Sequence, residues 1–235
     1  MNVESNLIIS LLKLSQEGLV LIESVNKEAR LPSITSKKLL EKLQSEGFIY
    51  LKKDNIEVDS NLRLKLAIKA VSLGADIEHT SKLLCWQEFE EIAAFALKNN
   101  GYAVANNVRF KHAGRKWEID VVGCKRPLGV CIDCKHWQHA VAASALRRIV
   151  DSQVERTRAL ADSLPNLSLK LDCAKWDNAK FIPAIISLMP SSFKFYDRVP
   201  VVPILQLQDF INQLPAYTET LRFFPKTFKS LSHDF

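Results

Sequence analysis

The chain has 235 residues, too many for one minimal domain and enough for two cores. With 47% apolar and 25% charged residues it has the composition of a folded globular protein, which excludes a disordered or fibrous one. The formal charge of +6 favours a polyanionic partner, because cations displace the counterions condensed on nucleic-acid phosphates, so the placement of the charges matters next.

No uncharged apolar run approaches the roughly 18 residues that span a bilayer, and Met1-Asn2-Val3-Glu4 lacks the basic start of a secretory signal. These features predict a cytoplasmic protein with no membrane partner. Five irregularly placed cysteines make no disulfide framework and are expected to be free thiols. Neither Gly-x-x-x-x-Gly-Lys-Ser/Thr nor Gly-x-Gly-x-x-Gly occurs, so no nucleotide motor is expected.

In chain order, Leu7, Ile8, Leu11, Leu12 and Leu14 recur at helical spacing, and Leu21, Ile22 and Val25 begin a second helix that ends near Pro32. A third helix follows, capped by Thr35 or Ser36, with Leu39, Leu40 and Leu43 inward and Lys37, Lys38 and Lys42 outward; Gly47 stops it. Phe48-Ile49-Tyr50-Leu51 then alternates with period two, turns at Asp54-Asn55 and returns through Ile56-Glu57-Val58 as a β-wing. Three helices and a wing resemble the winged helix-turn-helix family. The resemblance implies that the third helix enters a DNA groove while Lys52 and Lys53 of the wing touch the backbone; such modules also serve in dimerisation or docking.

Residues 60–81 read as a helical linker broken at Gly74, after a first domain at 1–59. The third segment, 82–235, has the order αβββαβ: a helix over 82–99, strands near 102–109, 116–122 and 128–135, a helix over 140–162, and a buried strand at Phe181-Ile182-Pro183-Ala184-Ile185-Ile186. Turns fall at His112-Ala113-Gly114 and Lys125-Arg126-Pro127. Val199–Ile204 adds an edge strand and Leu205–Leu214 a closing helix.

Two strings carry chemistry: Glu118-Ile119-Asp120-Val121-Val122 and Cys131-Ile132-Asp133-Cys134-Lys135. Strand alternation places Glu118, Asp120 and Val122 on one face, and Cys131, Asp133 and Lys135 on one face of the next strand. Carboxylates inside apolar strands are costly to bury unless paired or bound to a cation, and Mg²⁺ takes one or two carboxylates plus phosphate oxygens.

Asp120 followed by Asp133-Cys134-Lys135 resembles the D…(D/E)xK signature of the PD-(D/E)xK nucleases, with Ile119 in place of the proline. The resemblance covers about residues 82–190 and is closest to the archaeal, Mrr-like and Holliday-junction-resolvase branches. It implies an α/β, restriction endonuclease-like core with an N-terminal α+β winged-helix domain, acting as a Mg²⁺-dependent DNA endonuclease, with Mn²⁺ as substitute. Asp120, Asp133 and the Cys134 carbonyl would hold the ion, and Lys135 would orient or deprotonate the attacking water. The family often adds a glutamate from the first helix. Glu91 points away from the stripe Phe89, Ile92, Ala93, Ala96 and Leu97, Glu88 and Glu90 flank it, and the family's Phe-Glu pairing selects Glu90 as a further catalytic and metal-binding residue.

On the long helix Ala142, Leu146, Ile149 and Gln153 share one face, so Gln153 either approaches the site or satisfies a buried carbonyl. Arg147, Arg148, Arg156 and Arg158 are phosphate-contact candidates or solvated arginines. Cys131, Cys134, His136 and His139 do not form a zinc site, because the cysteines face opposite sides of a strand. His136 and His139 are expected to border the site. Trp117 and Trp137 are read as core rather than base-stacking residues. Cutting both strands of a duplex takes two active sites, which predicts a homodimer. The alternative function is a non-catalytic DNA-binding regulator that uses the nuclease-like fold for dimerisation or docking, and an RNase on the same scaffold is a third.

Overall fold

Residues 2–76, 79–80, 82–135, 141–166, 169–187 and 194–228 are described by the computed structural model, in two units, Met1–Ile92 and Ala93–Phe235.

In the first unit α1 (Val3–Leu14) is capped by Asn2, whose side chain accepts from the Glu4 N–H at 3.1 Å, and it buries Leu7, Ile8, Leu11 and Leu12 completely. A two-residue strand β1 (Val20–Leu21), α2 (Ile22–Ala29), α3 (Ser33–Ser45), β2 (Tyr50–Lys52) and β3 (Asn55–Glu57) follow. The sheet order is β1-β3-β2, with Val20 opposite Ile56 and Leu21 opposite Asn55. Leu21 therefore belongs to a strand and not to the second helix, because pairing with β3 overrides the local helical pattern. α2 stops at Arg30, which adopts a left-handed conformation (φ 52°). α3 begins at Ser33, earlier than a Thr35 or Ser36 cap would allow, because Pro32, with φ −59°, sets the entry to the helix; Ser36 is buried within it. α4 (Ser60–Ser72), capped by Asp59 on the Leu62 N–H at 2.8 Å, packs on α1 and ends before Gly74 (φ 91°).

α5 (Trp86–Asn99) contains the boundary between the units and starts four residues later than the sequence pattern suggests. β4 (Ala103–His112), β5 (Arg115–Lys125) and β6 (Leu128–Lys135) form an antiparallel meander. α6 (Ala143–Ser163) leads to β7 (Asn178–Ser187), which runs parallel to β6, and β8 (Phe195–Tyr196) and β9 (Val199–Pro203) follow. α7 (Leu207–Tyr217) and β10 (Phe224–Thr227) complete a seven-stranded sheet of order β4-β5-β6-β7-β9-β8, with β10 antiparallel to β7. The seventh strand, β10, has no clear signature in the sequence, and β9 is not an edge, since β8 pairs beyond it.

Pro183 sits in the middle of β7 without disrupting it. On one side β10 pairs no further than Phe181, and β9 begins at Ile185, so the missing N–H falls in the gap between the two ladders. The sheet is covered closely. A Cβ on Gly123 would lie 2.8 Å from a Leu97 methyl of α5, and one on Gly129 would lie 2.6 Å from the Phe181 ring. Leu146, Val150 and Val154 of α6 pack with Ile185 and Val201, while Ala159 and Leu160 join Val122, Cys131 and Phe181 in a second cluster.

Candidate functional site

The site begins at a break in the β4–β5 ladder. The two strands keep one register from Ala103–Cys124 to His112–Arg115, but Asn107 and Asp120 are not paired, and Asn107 is left-handed (φ 50°). Across the break the inward face changes parity. Val122 and Cys124 on one side of it pack in the same cluster as Ile119, Val108 and Phe110 on the other. Glu118 consequently does not share a face with Val122, as strict alternation would require; it is exposed and pairs with Arg109 at 3.1 Å.

The β5–β6 ladder likewise runs from Lys125–Leu128 only as far as Val121–Ile132. Just beyond it, Asp120 turns its carboxylate across the strands and accepts the Cys134 N–H at 2.7 Å. One residue earlier on β6, Asp133 is 2% exposed. Lys135 donates to Asp133 Oδ1 at 3.0 Å, and Arg156 of α6 donates to the same oxygen at 2.7 Å. Asp133 Oδ2 lies 2.8 Å from the Lys135 ammonium without hydrogen-bond geometry, which leaves a buried carboxylate oxygen whose hydrogen-bonding capacity is unused. Asp133, Lys135, Arg148, Ile149, Ser152 and Arg156 line a cleft of about 360 Å³.

The arrangement is a carboxylate pair at the end of a ladder, neutralised from the Asp133 side by two cations. A buried carboxylate loses several kcal/mol of solvation, which Lys135 and Arg156 offset here. Arg156 is the contact that sequence reasoning did not single out. Its signal was present as one of four arginines on the helix, but only the placement of α6 over β6 distinguishes it. Of the others, Arg147 pairs with Asp151 at 3.7 Å and Arg158 lies 5.2 Å above the Phe224 ring.

Gln153 is fully buried and donates to the Cys131 carbonyl at 2.8 Å, two residues before Asp133 on the same strand. Between the two expectations for this residue, the contact seen is the one to a backbone carbonyl. All five cysteines are free thiols, and burial pushes the Cys131 thiol well up. Among the described residues no group of three or more His, Cys, Asp or Glu side chains is placed to hold a metal. His136, Trp137 and His139 lie outside the described residues. Trp117 is half-buried against the core cluster, as a core residue would be.

The helix glutamates lie in the first unit. Glu88 is 2% exposed, pairs with Arg63 of α4 and accepts the Cys85 N–H at 2.8 Å. Arg63 also reaches the Leu12 and Leu83 carbonyls, each at 2.6 Å, so Glu88 anchors a buried polar cluster. Glu90 accepts from the Trp86 indole N–H, and Glu91 is exposed.

The basic residues of the first unit divide. Lys42 is held by Glu4 at 2.7 Å and Lys52 by Glu57 at 2.5 Å. Lys37 and Lys53 line a common cleft of about 500 Å³ together with Glu23, Glu41 and Asp54, and Lys38 is exposed. No helix among the described residues is long and apolar enough to cross a membrane.

An uncharacterized protein of Archaeoglobus fulgidus is 27% identical over 133 residues, which is 56% of this chain and 93% of its own length. Among solved structures, protein VC1899 from Vibrio cholerae (13% identity, TM-score 0.40) and the restriction endonuclease FokI (16% identity, TM-score 0.40) each align over 92% of this chain. The chain spans 50% of the first and 44% of the second. Residues 82–160, the stretch that carries Asp120, Asp133, Cys134, Lys135, Gln153 and Arg156, match the restriction endonuclease family, and this part of the chain is restriction endonuclease-like.

Proposed function

We propose that the chain is a Mg²⁺-dependent DNA endonuclease of the PD-(D/E)xK type, with Mn²⁺ able to substitute, and that residues 1–59 act as a winged helix that delivers the DNA. Residues 60–81 would couple the two, and 82–235 would form the catalytic domain. The observation that carries the reading is Asp133, buried beside Lys135 with an oxygen that makes no hydrogen bond, next to a second carboxylate fixed by the Cys134 N–H.

The donor set fits a hard divalent cation. Asp120 and Asp133 would supply two carboxylates, and Cys134, whose N–H meets Asp120, would add its carbonyl. When bound, the ion would neutralise charge on a phosphate oxygen and lower the pKa of a water. The protein's own part is positioning. Lys135 brings an ammonium to the rim of the cleft, where it orients the attacking water, and Arg156 holds Asp133 in place and adds positive charge where the transition state gains negative charge. Gln153 fixes the strand that carries Asp133, and Glu90 is the helix carboxylate proposed to join the set, on the family's Phe-Glu pairing at Phe89-Glu90.

Within residues 1–59, the topology of three α-helices with a three-stranded sheet supports the winged-helix reading. Lys37, Lys38 and Lys53 are its proposed DNA contacts, with Lys42 and Lys52 contributing as members of ion pairs. A homodimer would supply the second active site that a double-strand cut requires, and light scattering tests it.

The deciding experiment is cleavage of labelled linear, single-stranded and branched DNA, and of a matched RNA duplex, with Mg²⁺ or Mn²⁺. Wild type is compared with Asp133→Asn and Lys135→Ala. Cleavage by wild type and binding without cleavage by both variants is the expected result. DNA binding with no cleavage by wild type would replace this reading with that of a non-catalytic DNA-binding regulator, for which the neutralisation of Asp133 by two side-chain cations is the favouring observation.

A further inference from the structure

The hairpin that joins β4 to β5 carries four exposed cations, Arg109, Lys111, Arg115 and Lys116, against one carboxylate, Glu118, within ten residues. Arg109 is matched by Glu118 opposite it at 3.1 Å, but the two lysines are placed as stability would not favour. Lys111 stands directly opposite Lys116 across the ladder, and the next pair outward sets His112 opposite Arg115. Like charges at directly opposed positions, as in the lysine pair, are destabilising, and one acidic residue in place of either lysine would have made the pair favourable. Lysines on an edge strand commonly guard against sheet-to-sheet association, and β4 is such an edge. That role does not account for Arg115 and Lys116, which lie on the inner strand β5.

The surface is also shaped. Arg109, Lys111, Lys116, Trp117, Glu118 and Asn166 line an open cleft of about 670 Å³. Arg115 lies over the Trp117 ring at 4.0 Å, so the indole face is covered by a guanidinium rather than offered to a base, and the planar cation is already oriented. Arg115 also approaches Glu155 of α6 at 3.7 Å, and the next residue on that helix is Arg156, which holds Asp133. Arg115 and the carboxylate site are thus tied to neighbouring positions of one helix.

We infer that the β4–β5 hairpin is a nucleic-acid contact surface of the second unit that grips the sugar–phosphate backbone of the substrate, independently of sequence. It rests on the nuclease reading of the Asp133 site for its substrate, and it adds a substrate-holding element outside the first unit. Its contacts are phosphate contacts, which position the strand and make affinity salt-dependent.

The test is fluorescence anisotropy of a labelled DNA duplex titrated with the full chain in Ca²⁺, over a series of salt concentrations, for wild type, Lys111→Gln/Lys116→Gln and Arg115→Gln. Each lost phosphate contact lowers the slope of log affinity against log salt by about 0.9, so the double variant is expected to lose about 1.8 and to bind roughly tenfold more weakly or worse at low salt. Its thermal midpoint should equal or exceed that of wild type, because a like-charge pair has been removed; a merely structural hairpin would lose stability instead. Unchanged slope and affinity, or no DNA binding by wild type, would overturn the inference. Cleavage measured in Mg²⁺ separates it from the reading of the site. Cleavage with an unaltered slope defeats the hairpin alone, and an altered slope with no cleavage by wild type defeats the active-site reading alone.

Discussion

Arg156 of α6 donates to Asp133 Oδ1 of β6 at 2.7 Å, so the helix that covers the sheet also neutralises its most buried carboxylate. Removing this cation leaves Asp133 with Lys135 alone. Arg156→Ala should destabilise the protein by about 1.5–3 kcal/mol, the range for a hydrogen bond to a charged group. Cleavage should fall about 10–100-fold, as when a residue that orients a metal ligand is lost. Arg156→Lys restores the charge without the planar fork and should fall between the two. Urea unfolding and single-turnover rates measure both, and a wild-type rate for Arg156→Ala would remove Arg156 from the site.

Two glutamates on one helix separate by their partners. Glu88 is enclosed with Arg63, so Glu88→Gln should cost about 3–5 kcal/mol by leaving a buried guanidinium without its counter-charge. The rate per folded molecule should not change. Glu90 accepts from the Trp86 indole, a bond that glutamine can keep, so Glu90→Gln should leave stability within about 1 kcal/mol and lower the cleavage rate. If Glu90→Gln cleaves at the wild-type rate, the helix supplies no carboxylate to the reaction.

The order of strands and helices from Trp86 to Ser187 was legible because each element carried its own period and its own turn. The hairpins at His112–Gly114 and Lys125–Pro127 lie where the turn residues placed them. Asp120, Asp133 and Lys135 were legible as charges interrupting apolar strands. What alternation could not foresee was the left-handed Asn107 in β4, which reverses the inward face and carries Glu118 outside. Arg63 stood in the sequence between Leu62 and Leu64, a charge within an apolar run of α4, yet its partner lies 25 residues away on another helix. β1 and β10 were invisible because strands of two and four residues depend on the partner that pairs with them rather than on their own pattern.

Glycine at 129 is required by the approach of β7. A Cβ there would meet the Phe181 ring at 2.6 Å, and Phe181 is fully buried and cannot swing away. Gly129→Ala should therefore cost about 1–3 kcal/mol, the usual penalty for overpacking a core. Gly129→Ala with Phe181→Leu should recover part of it, because the smaller side chain vacates the contact. Chemical denaturation of the two variants checks this, and a neutral single variant would mean that the ring has room to move.

Glu4 sets an acid limit on the first unit. Its burial alone would raise its pKa, but Lys42 at 2.7 Å and Lys69 at 3.5 Å outweigh burial and hold the carboxyl below its ordinary 4.5. A carboxylate with a lowered pKa contributes stability that is complete above the unfolded-state value and is lost as the pH falls through the folded-state value. Glu4→Gln should therefore be less stable than wild type by about 1 kcal/mol at pH 7, a modest figure because Lys42 is largely exposed. The gap should narrow as the pH falls below 4.5 and vanish once the wild-type carboxyl is protonated, with wild type losing the stability and the variant unaffected at this position. Urea unfolding across that range reads both curves. A difference that stays constant with pH would mean that the loss comes from the packing of the side chain and not from its charge.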